Sequence, residues 1–277
     1  MRKPIKRIAT IHDMCGIGKA ALTNIMPVLA TIGIEVCPIP TMILSTHTGG
    51  FKIPKIVKLD GYIEEALDHY KEINIDFDGI FIGYLGSTNN VEYSLKFIQS
   101  LRKENTLVVF DPIFGDNGKY YSNFDKSYSD SLKKLISSSD IITPNFTEAC
   151  ILSESEIVSD CSEKRLLEIS RKLYDLGCEN IVITSVPVKE KIGTAIYDGK
   201  NDSINIIVKN KLKNSYPGTG DIFTSVLIGK LLKGYSLMES AEISCEFVEE
   251  CIKISSEYDY PTKEGVLLEL ALKKLDE

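Results

Sequence analysis

The sequence lacks the features that mark secreted, metal-stapled and membrane-spanning proteins. Its seven cysteines, at positions 15, 37, 150, 161, 178, 245 and 251, are odd in number, scattered and without a Cys-x-x-Cys pair, which argues against a disulfide framework. The three histidines, 12, 47 and 69, form no zinc-like spacing with them. Most of the cysteines therefore read as small buried apolar residues, and a cytoplasmic location is expected. Apolar runs are short: the stretch 25–39 is broken by Pro27, Gly33, Glu35 and Pro38, against about 20 continuous apolar residues for a membrane span. The basic start, Met1-Arg-Lys-Pro-Ile-Lys-Arg7, leads into an apolar stretch that His12 and Asp13 stop at once, so no export signal is expected. No block of like charge occurs, and 32 Lys and Arg against 39 Asp and Glu give a net charge of -7. That balance repels a nucleic-acid backbone, but it allows a single phosphate chain, which needs only a few local donors. Internal repeats, Pro-rich linkers and low-complexity tracts are also missing.

What is present is the composition of an ordinary globular chain, 43% hydrophobic and 26% charged. A length of 277 residues fits one α/β domain over 1–277. Short β-branched runs at 8–11, 34–39, 79–82, 107–110, 141–142 and 181–184 read as buried parallel strands. Between them, 20–31, 61–72, 91–103, 126–136 and 163–176 carry apolar residues at helical spacing. This alternation predicts a mainly parallel central sheet with helices on both faces, and ligands at the strand C-terminal ends. Residues 192–197 and 203–208 flank Asp198-Gly-Lys-Asn-Asp202 and predict an antiparallel hairpin at one edge. The stretch 184–215 is the longest doubtful loop. Three helical segments, 221–233, 237–251 and 263–275, close the chain.

Chemistry concentrates at Tyr216-Pro-Gly-Thr-Gly-Asp221, directly before an apolar helix. Helix N-terminal N–H groups lack intrahelical partners and the helix dipole adds positive potential, so Gly218, Thr219 and Gly220 can cradle a phosphate. Asp221 beside those donors suggests proton abstraction with charge stabilisation; equally, Thr219 or Asp221 could simply cap the helix. Asp111-Pro-Ile-Phe-Gly-Asp-Asn-Gly-Lys-Tyr-Tyr121 follows a strand and holds two carboxylates that could carry cations, or could form two turns. Ile141-Ile-Thr-Pro-Asn-Phe-Thr-Glu-Ala149 adds Asn145, Thr147 and Glu148 at another strand end, where Thr143 could also serve as a helix cap. Gly16-Ile-Gly-Lys19 is not a P-loop, because position 13 is Asp and position 20 is Ala. Lys19 is expected to begin the following helix, with a phosphate contact as the alternative.

Pro-Gly-Thr-Gly-Asp before an apolar helix resembles the signature of the ribokinase-like superfamily, which implies a three-layer fold with Asp221 as catalytic base and Gly218 to Gly220 as its anion hole. The earlier segments resemble the pyridoxal and pyridoxamine kinase branch, with Asp-Pro-x-x-Gly-Asp-x-Gly-x-x-Tyr and Thr-Pro-Asn-x-x-Glu in that order. By that resemblance Asp111, Asp116, Thr147 and Glu148 organise Mg²⁺ and a monovalent cation such as K⁺ around ATP. Asn145 then lies near the metal-bound phosphates and Thr184 beside the nucleotide phosphates.

The N-terminal third supplies the expected acceptor pocket from Thr10-Ile-His-Asp-Met-Cys-Gly-Ile-Gly-Lys19, Leu44-Ser-Thr-His-Thr-Gly49 and Gly83-Tyr-Leu-Gly86. A pyridine ring could be clasped by Tyr84 and hydrogen-bonded by Asp13, Ser45, Thr46 or His47, with a purely structural role for His47 as the alternative. These segments also resemble the vitamin B6 kinases, except that Asp13 stands where a serine is common, which bears on how the ring nitrogen is read. The resemblance implies ATP-dependent phosphorylation of the 5′-hydroxymethyl group of a B6 vitamer by a homodimer. Hydroxymethylpyrimidine kinase and an idle ligand-binding protein of the same fold are the competing readings. Residues 186–192 and 210–216 are candidates for a lid over the nucleotide.

Overall fold

Apolar runs bounded by turn residues favour strands buried on both faces, and this is how the chain folds in the computed structural model, which describes residues 4–275. In chain order the first half holds β1 (Lys6–Ile17), α1 (Leu22–Thr31), β2 (Ile34–Thr46), β3 (Ile56–Lys58), α2 (Tyr62–Glu72), β4 (Gly79–Ile82), α3 (Thr88–Leu101) and β5 (Leu107–Phe110). Next come β6 (Gly115–Asp116), β7 (Lys119–Tyr120), α4 (Lys126–Ile136), β8 (Ile141–Ile142), α5 (Phe146–Leu152) and α6 (Glu163–Tyr174). The chain closes with β9 (Asn180–Val188), β10 (Lys191–Asp198), β11 (Ser203–Asn210), α7 (Thr219–Leu232), α8 (Leu237–Ser256) and α9 (Leu268–Ala271).

A nine-stranded sheet runs β11-β10-β9-β8-β5-β4-β1-β2-β3, parallel from β9 through β2 and antiparallel at both edges. The period of two in each strand divides its side chains between two apolar layers. Ala9, Ile80, Ile82, Val108 and Phe110 face the layer under α2 to α6, while Ile8, Phe81 and Val109 face α1, α7 and α8. The result is the ribokinase-like three-layer α/β fold expected from the sequence. From β1 the chain crosses to β2 on one side and then returns to β4 on the other, so the order reverses around β1 and a crevice opens at the strand C-terminal ends.

The expected edge hairpin forms as β10 and β11. The stretch 184–215 is largely ordered rather than a loop, because β9 continues to Val188 and pairs back through Lys191↔Val188. The expected helix 263–275 does not form. Gly265 sits at φ 81°, where a β-carbon would run into Gly18 and Lys19, so the segment is broken into a short turn before it and α9 with one further short turn after it. The expected helix start at Ala20 also moves, to Leu22, because Gly18, Lys19 and Ala21 all have positive φ. Strands β1 and β2 run past the core as a paired extension through Met14↔Ile43, Cys15↔Leu44 and Ile17↔Thr46. Among the described residues no helix is long and apolar enough to cross a membrane.

Helix α7 is the element that carries the site. It is apolar nearly all round, with Ile222, Phe223, Val226, Leu227 and Ile228 buried, because the sheet lies on one side and α1 and α8 on others. Its N-cap is Gly218 at φ 77°, where a β-carbon would stand 2.4 Å from the Lys19 carbonyl oxygen and 2.5 Å from Asn24 Nδ2. Left-handed strain and a backbone clash would act together. Gly218→Ala is expected to destabilise the fold by about 2 kcal/mol or more, read as a lowered urea midpoint with unchanged slope; a midpoint at the wild-type value would show the turn to be less constrained.

Candidate active site

Asp221 stands in the first turn of α7 and is 7% exposed. Two elements far away in sequence hold its carboxylate. Oδ2 accepts a 2.6 Å hydrogen bond from the Ala21 N–H, and Oδ1 lies 3.2 Å from His12 Nε2. That second contact is an ion pair without hydrogen-bond alignment, and it leaves Nε2 without any other partner. The Ala21 backbone is strained, at φ 61° and ψ -142°, and the strain aims its N–H at the carboxylate. Asn24, fully buried, bonds the carbonyls of Lys19 and Gly218 and so ties this turn to the start of α7.

The N–H groups of Thr219, Gly220 and Asp221 have no intrahelical acceptors. They face a cleft of about 280 Å³ lined by Asp111, Asp116, Tyr121, Asn145, Glu148, Thr184 and the Gly218–Asp221 turn. Nothing lies within 4 Å of where a Gly220 β-carbon would be, so the missing side chain leaves open space for an anion beside the helix start. Thr219 Oγ1 donates to the Tyr216 carbonyl and so braces the turn, but it does not cap α7, whose start has no side-chain cap.

Asp111 and Glu148 are buried on the far side of this cleft. Burial, then the charge of Asp221, raises Asp111 to about 7, against the opposing pull of His12 and of the Thr224 and Thr143 hydroxyls. Glu148 is raised well above the usual carboxylate range by burial and by Asp111, although three N–H groups, those of Asn145, Phe114 and Gly115, bond it. Two buried carboxylates that repel one another, with only oxygen donors around them, fit a hard cation. Among the described residues no cluster of three His, Cys, Asp or Glu is ready to hold one, so any cation's shell is left for phosphate oxygens and water to complete.

The other sequence candidates separate into contributors and supports. Asp116 lines the cleft but is exposed and folds its carboxylate onto Asn117. Thr147 does not reach the cleft; its hydroxyl accepts from the Gly118 N–H and fastens the β6–β7 turn to α5. Asn145 caps α5 and donates to the Gly115 carbonyl at the cleft wall.

A second cavity opens on the opposite side of Asp221, lined by His12, Asp13, Cys15, Leu44, His47, Tyr84, Asn123 and Pro217. Tyr84 is in place there, its hydroxyl accepting from Asn123. His47 reaches the wall, but both its nitrogens are engaged, Nε2 with the Lys263 carbonyl at 2.6 Å and Nδ1 with the Gly49 N–H at 3.0 Å. It latches the β2 extension to the C-terminal segment. Ser45 and Thr46 lie outside this cavity: Ser45 is exposed and accepts from the Lys55 N–H, and the Thr46 hydroxyl bonds the His47 carbonyl. Lys19 makes no site contact; it pairs with Glu269 and lies over the Tyr260 ring. Sequence reasoning missed His12 and the Ala21 N–H. A histidine beside an aspartate at a strand end was a visible signal for the first, whereas nothing in an alanine signals the second.

A three-layer α/β fold with a carboxylate at a glycine-rich helix start, between an anion cleft and an aromatic-walled pocket, defines a kinase of the ribokinase-like superfamily. The phosphomethylpyrimidine kinase family model matches residues 30–265. A Bacteroides thetaiotaomicron protein provisionally called a phosphomethylpyrimidine kinase, solved in an orthorhombic form with pyridoxal, is 36% identical with TM-score 0.94, over 99% of this chain and 96% of that one. Pyridoxal kinase from Lactobacillus plantarum is 27% identical with TM-score 0.89, covering 99% of this chain and 97% of that one. Pyridoxal kinase of Dictyostelium discoideum is 29% identical over 240 residues, 79% of this chain and 74% of the relative. The chain belongs to the phosphomethylpyrimidine kinase family, where it groups with the pyridoxal kinases.

Burial would pull His12 down, but the Asp13 hydrogen bond, the close Asp221 carboxylate and the charge of both outweigh it and raise the imidazole to about 10. A folded value above the unfolded one near 6.5 stabilises the fold fully below the unfolded value, and that contribution fades as pH rises through about 10. Thermal melts of wild type and His12→Gln should therefore differ most below about pH 6.5 and converge toward about pH 10; a gap that widens with pH would contradict the charged ring.

Proposed function

We propose that the protein transfers the γ-phosphoryl group of ATP to the 5′-hydroxymethyl group of a vitamin B6 vitamer. The observation that carries this reading is that Asp221, with Ile113, Tyr121 and Pro217, lines both cavities at once. A base placed at the boundary between an anion cleft and an aromatic-walled pocket suits an alcohol on one side and a phosphate chain on the other.

Asp221 accepts the hydroxyl proton, the freed oxygen attacks the γ-phosphorus in line, and the N–H groups of Thr219, Gly220 and Asp221 take up charge on the transferred group. The adenosine end is best accommodated beyond Thr184, in an apolar groove formed by Ile192, Ile207, Leu212, Phe223 and Val248. Asp111 and Glu148, with Asp116 and Asn145 nearby, would hold Mg²⁺ and a monovalent cation such as K⁺. When bound, these ions neutralise the phosphate chain. Tyr84 would clasp the acceptor ring.

A cytoplasmic role in recovering pyridoxal 5′-phosphate agrees with seven free cysteines. Hydroxymethylpyrimidine is the rival acceptor, favoured by the name of the matching family model; the transfer machinery is the same and only the ring differs.

Asp221→Asn should lower kcat by at least about 10³-fold while ATP affinity, read by calorimetry, stays within a few-fold of wild type; near-normal kcat would sink the assignment. In an ADP-release assay with pyridoxal, pyridoxamine, pyridoxine and hydroxymethylpyrimidine, a B6 vitamer should give the highest kcat/KM, and a clear preference for the pyrimidine would move the protein to the rival reading. A homodimer would have Met14, Ile43 and Val57, an exposed apolar row on the outer face of the β1–β3 extension, as a surface to cover. Light scattering should then show a dimer that Ile43→Lys weakens; an unaffected dimer would place the contact elsewhere.

A further inference from the structure

The Asp13–His12 pair is built into the site more tightly than a passive core histidine requires. His12 is 2% exposed, at the point where the register of β1 with β2 shifts. Such an irregularity re-aims a side chain. The neighbouring strand leaves a slot for the ring: a β-carbon on Gly83 would stand 2.1 Å from His12 Cδ2, and Phe81 meets the ring edge-on with centroids 6.1 Å apart. Nδ1 lies 2.7 Å from Asp13 Oδ1 and Nε2 lies 3.2 Å from Asp221 Oδ1. A neutral ring would set a nitrogen lone pair against one of these carboxylates; only the imidazolium suits both. The other oxygen of Asp13 meets the Cys15 thiol at 3.4 Å, so Asp13 is occupied by protein groups rather than turned freely toward an acceptor ring.

We propose that His12 is a positioning residue for phosphoryl transfer: anchored by Asp13 at Nδ1, it fixes Oδ1 of Asp221 while the Ala21 N–H fixes Oδ2. This rests on Asp221 being the base, and it gives Asp13 an anchoring role in place of direct reading of the substrate ring. The charged groups around the imidazole are Asp13 from β1, Asp221 from α7 and Asp111 from the end of β5, with the Cys15 thiol adjacent; the β4 residues against it, Phe81 and Gly83, carry no charge. Among the described residues the ring is thus the one cation placed among these carboxylates, and it touches the base rather than the cleft floor.

The test compares wild type, His12→Gln, Asp13→Asn and the double variant by ADP release, using whichever acceptor the wild type turns over fastest. Each single change should lower kcat about 10- to 100-fold, with KM for ATP and for the acceptor moving less than about threefold. The double variant should be no slower than the slower single one, because both changes break the same arrangement. Losses that multiply, or an acceptor KM that rises in Asp13→Asn at constant kcat, would overturn the proposal and return Asp13 to the ring. A second measurement needs no turnover: ¹⁵N spectra of the imidazoles in the wild-type protein should show both His12 nitrogens protonated at about pH 8, and a neutral tautomer would overturn it. If the wild type phosphorylates none of the acceptors, the function reading fails and the spectra alone decide the state of the ring.

Discussion

The site depends on holding a carboxylate still at the start of a buried helix. Asp221 lies too deep for water to solvate it well, so the protein supplies substitutes: one strained backbone N–H, one histidine and the unpaired end of α7. Each substitute makes its own demand on the chain. The Ala21 N–H requires three positive-φ residues between β1 and α1, Gly218 must be glycine because the Lys19 carbonyl approaches it, and Asn24 must be buried to tie the two turns together. The N-terminal strand and the seventh helix, some 200 residues apart in sequence, are thereby made one unit.

This long-range dependence explains what could and could not be read in advance. The sheet and its crossover helices were legible because a period of two or of 3.6 is local, and the Gly-Thr-Gly-Asp turn was legible because a helix start is local too. The substrate side was less so. Ser45 and Thr46 sit in a polar segment that looks like a binding loop, yet it continues a strand, and strand alternation turns Leu44 toward the cavity and Ser45 to solvent. The last expected helix failed for a similar reason: Gly265 is required by the approach of Gly18 and Lys19, residues that no window around position 265 contains.

Thr147 and Glu148 illustrate a further limit. Their motif predicted cation organisers, and their immediate work is structural: Thr147 fastens the β6–β7 turn, and Glu148 completes a capping box while accepting two N–H groups from the segment after Asp111. The two roles are compatible. A carboxylate saturated by backbone donors holds its position, and it still lines the cleft where a ligand would enter.

Charge balance then decides what the cleft can admit. Asp111, Glu148 and Asp221 meet around it, Asp13 stands behind, and among the described residues His12 is the single cation in their midst. The cleft raises Asp111 and Glu148 above their ordinary range before any ligand arrives. A triphosphate brought into that field alone would be repelled by whatever carboxylate charge remains and would favour the N-terminus of α7, whose dipole is equivalent to about half a charge. On the proposed function, cations entering with the nucleotide would reverse the balance: Asp111 and Glu148, whose ionisation burial and mutual repulsion disfavour, would hold them and leave the helix end free to meet the transferred group. On that reading the acidic pair and the glycine turn are two halves of one electrostatic device, with Asp221 on their shared cleft held in place by His12 and the Ala21 N–H.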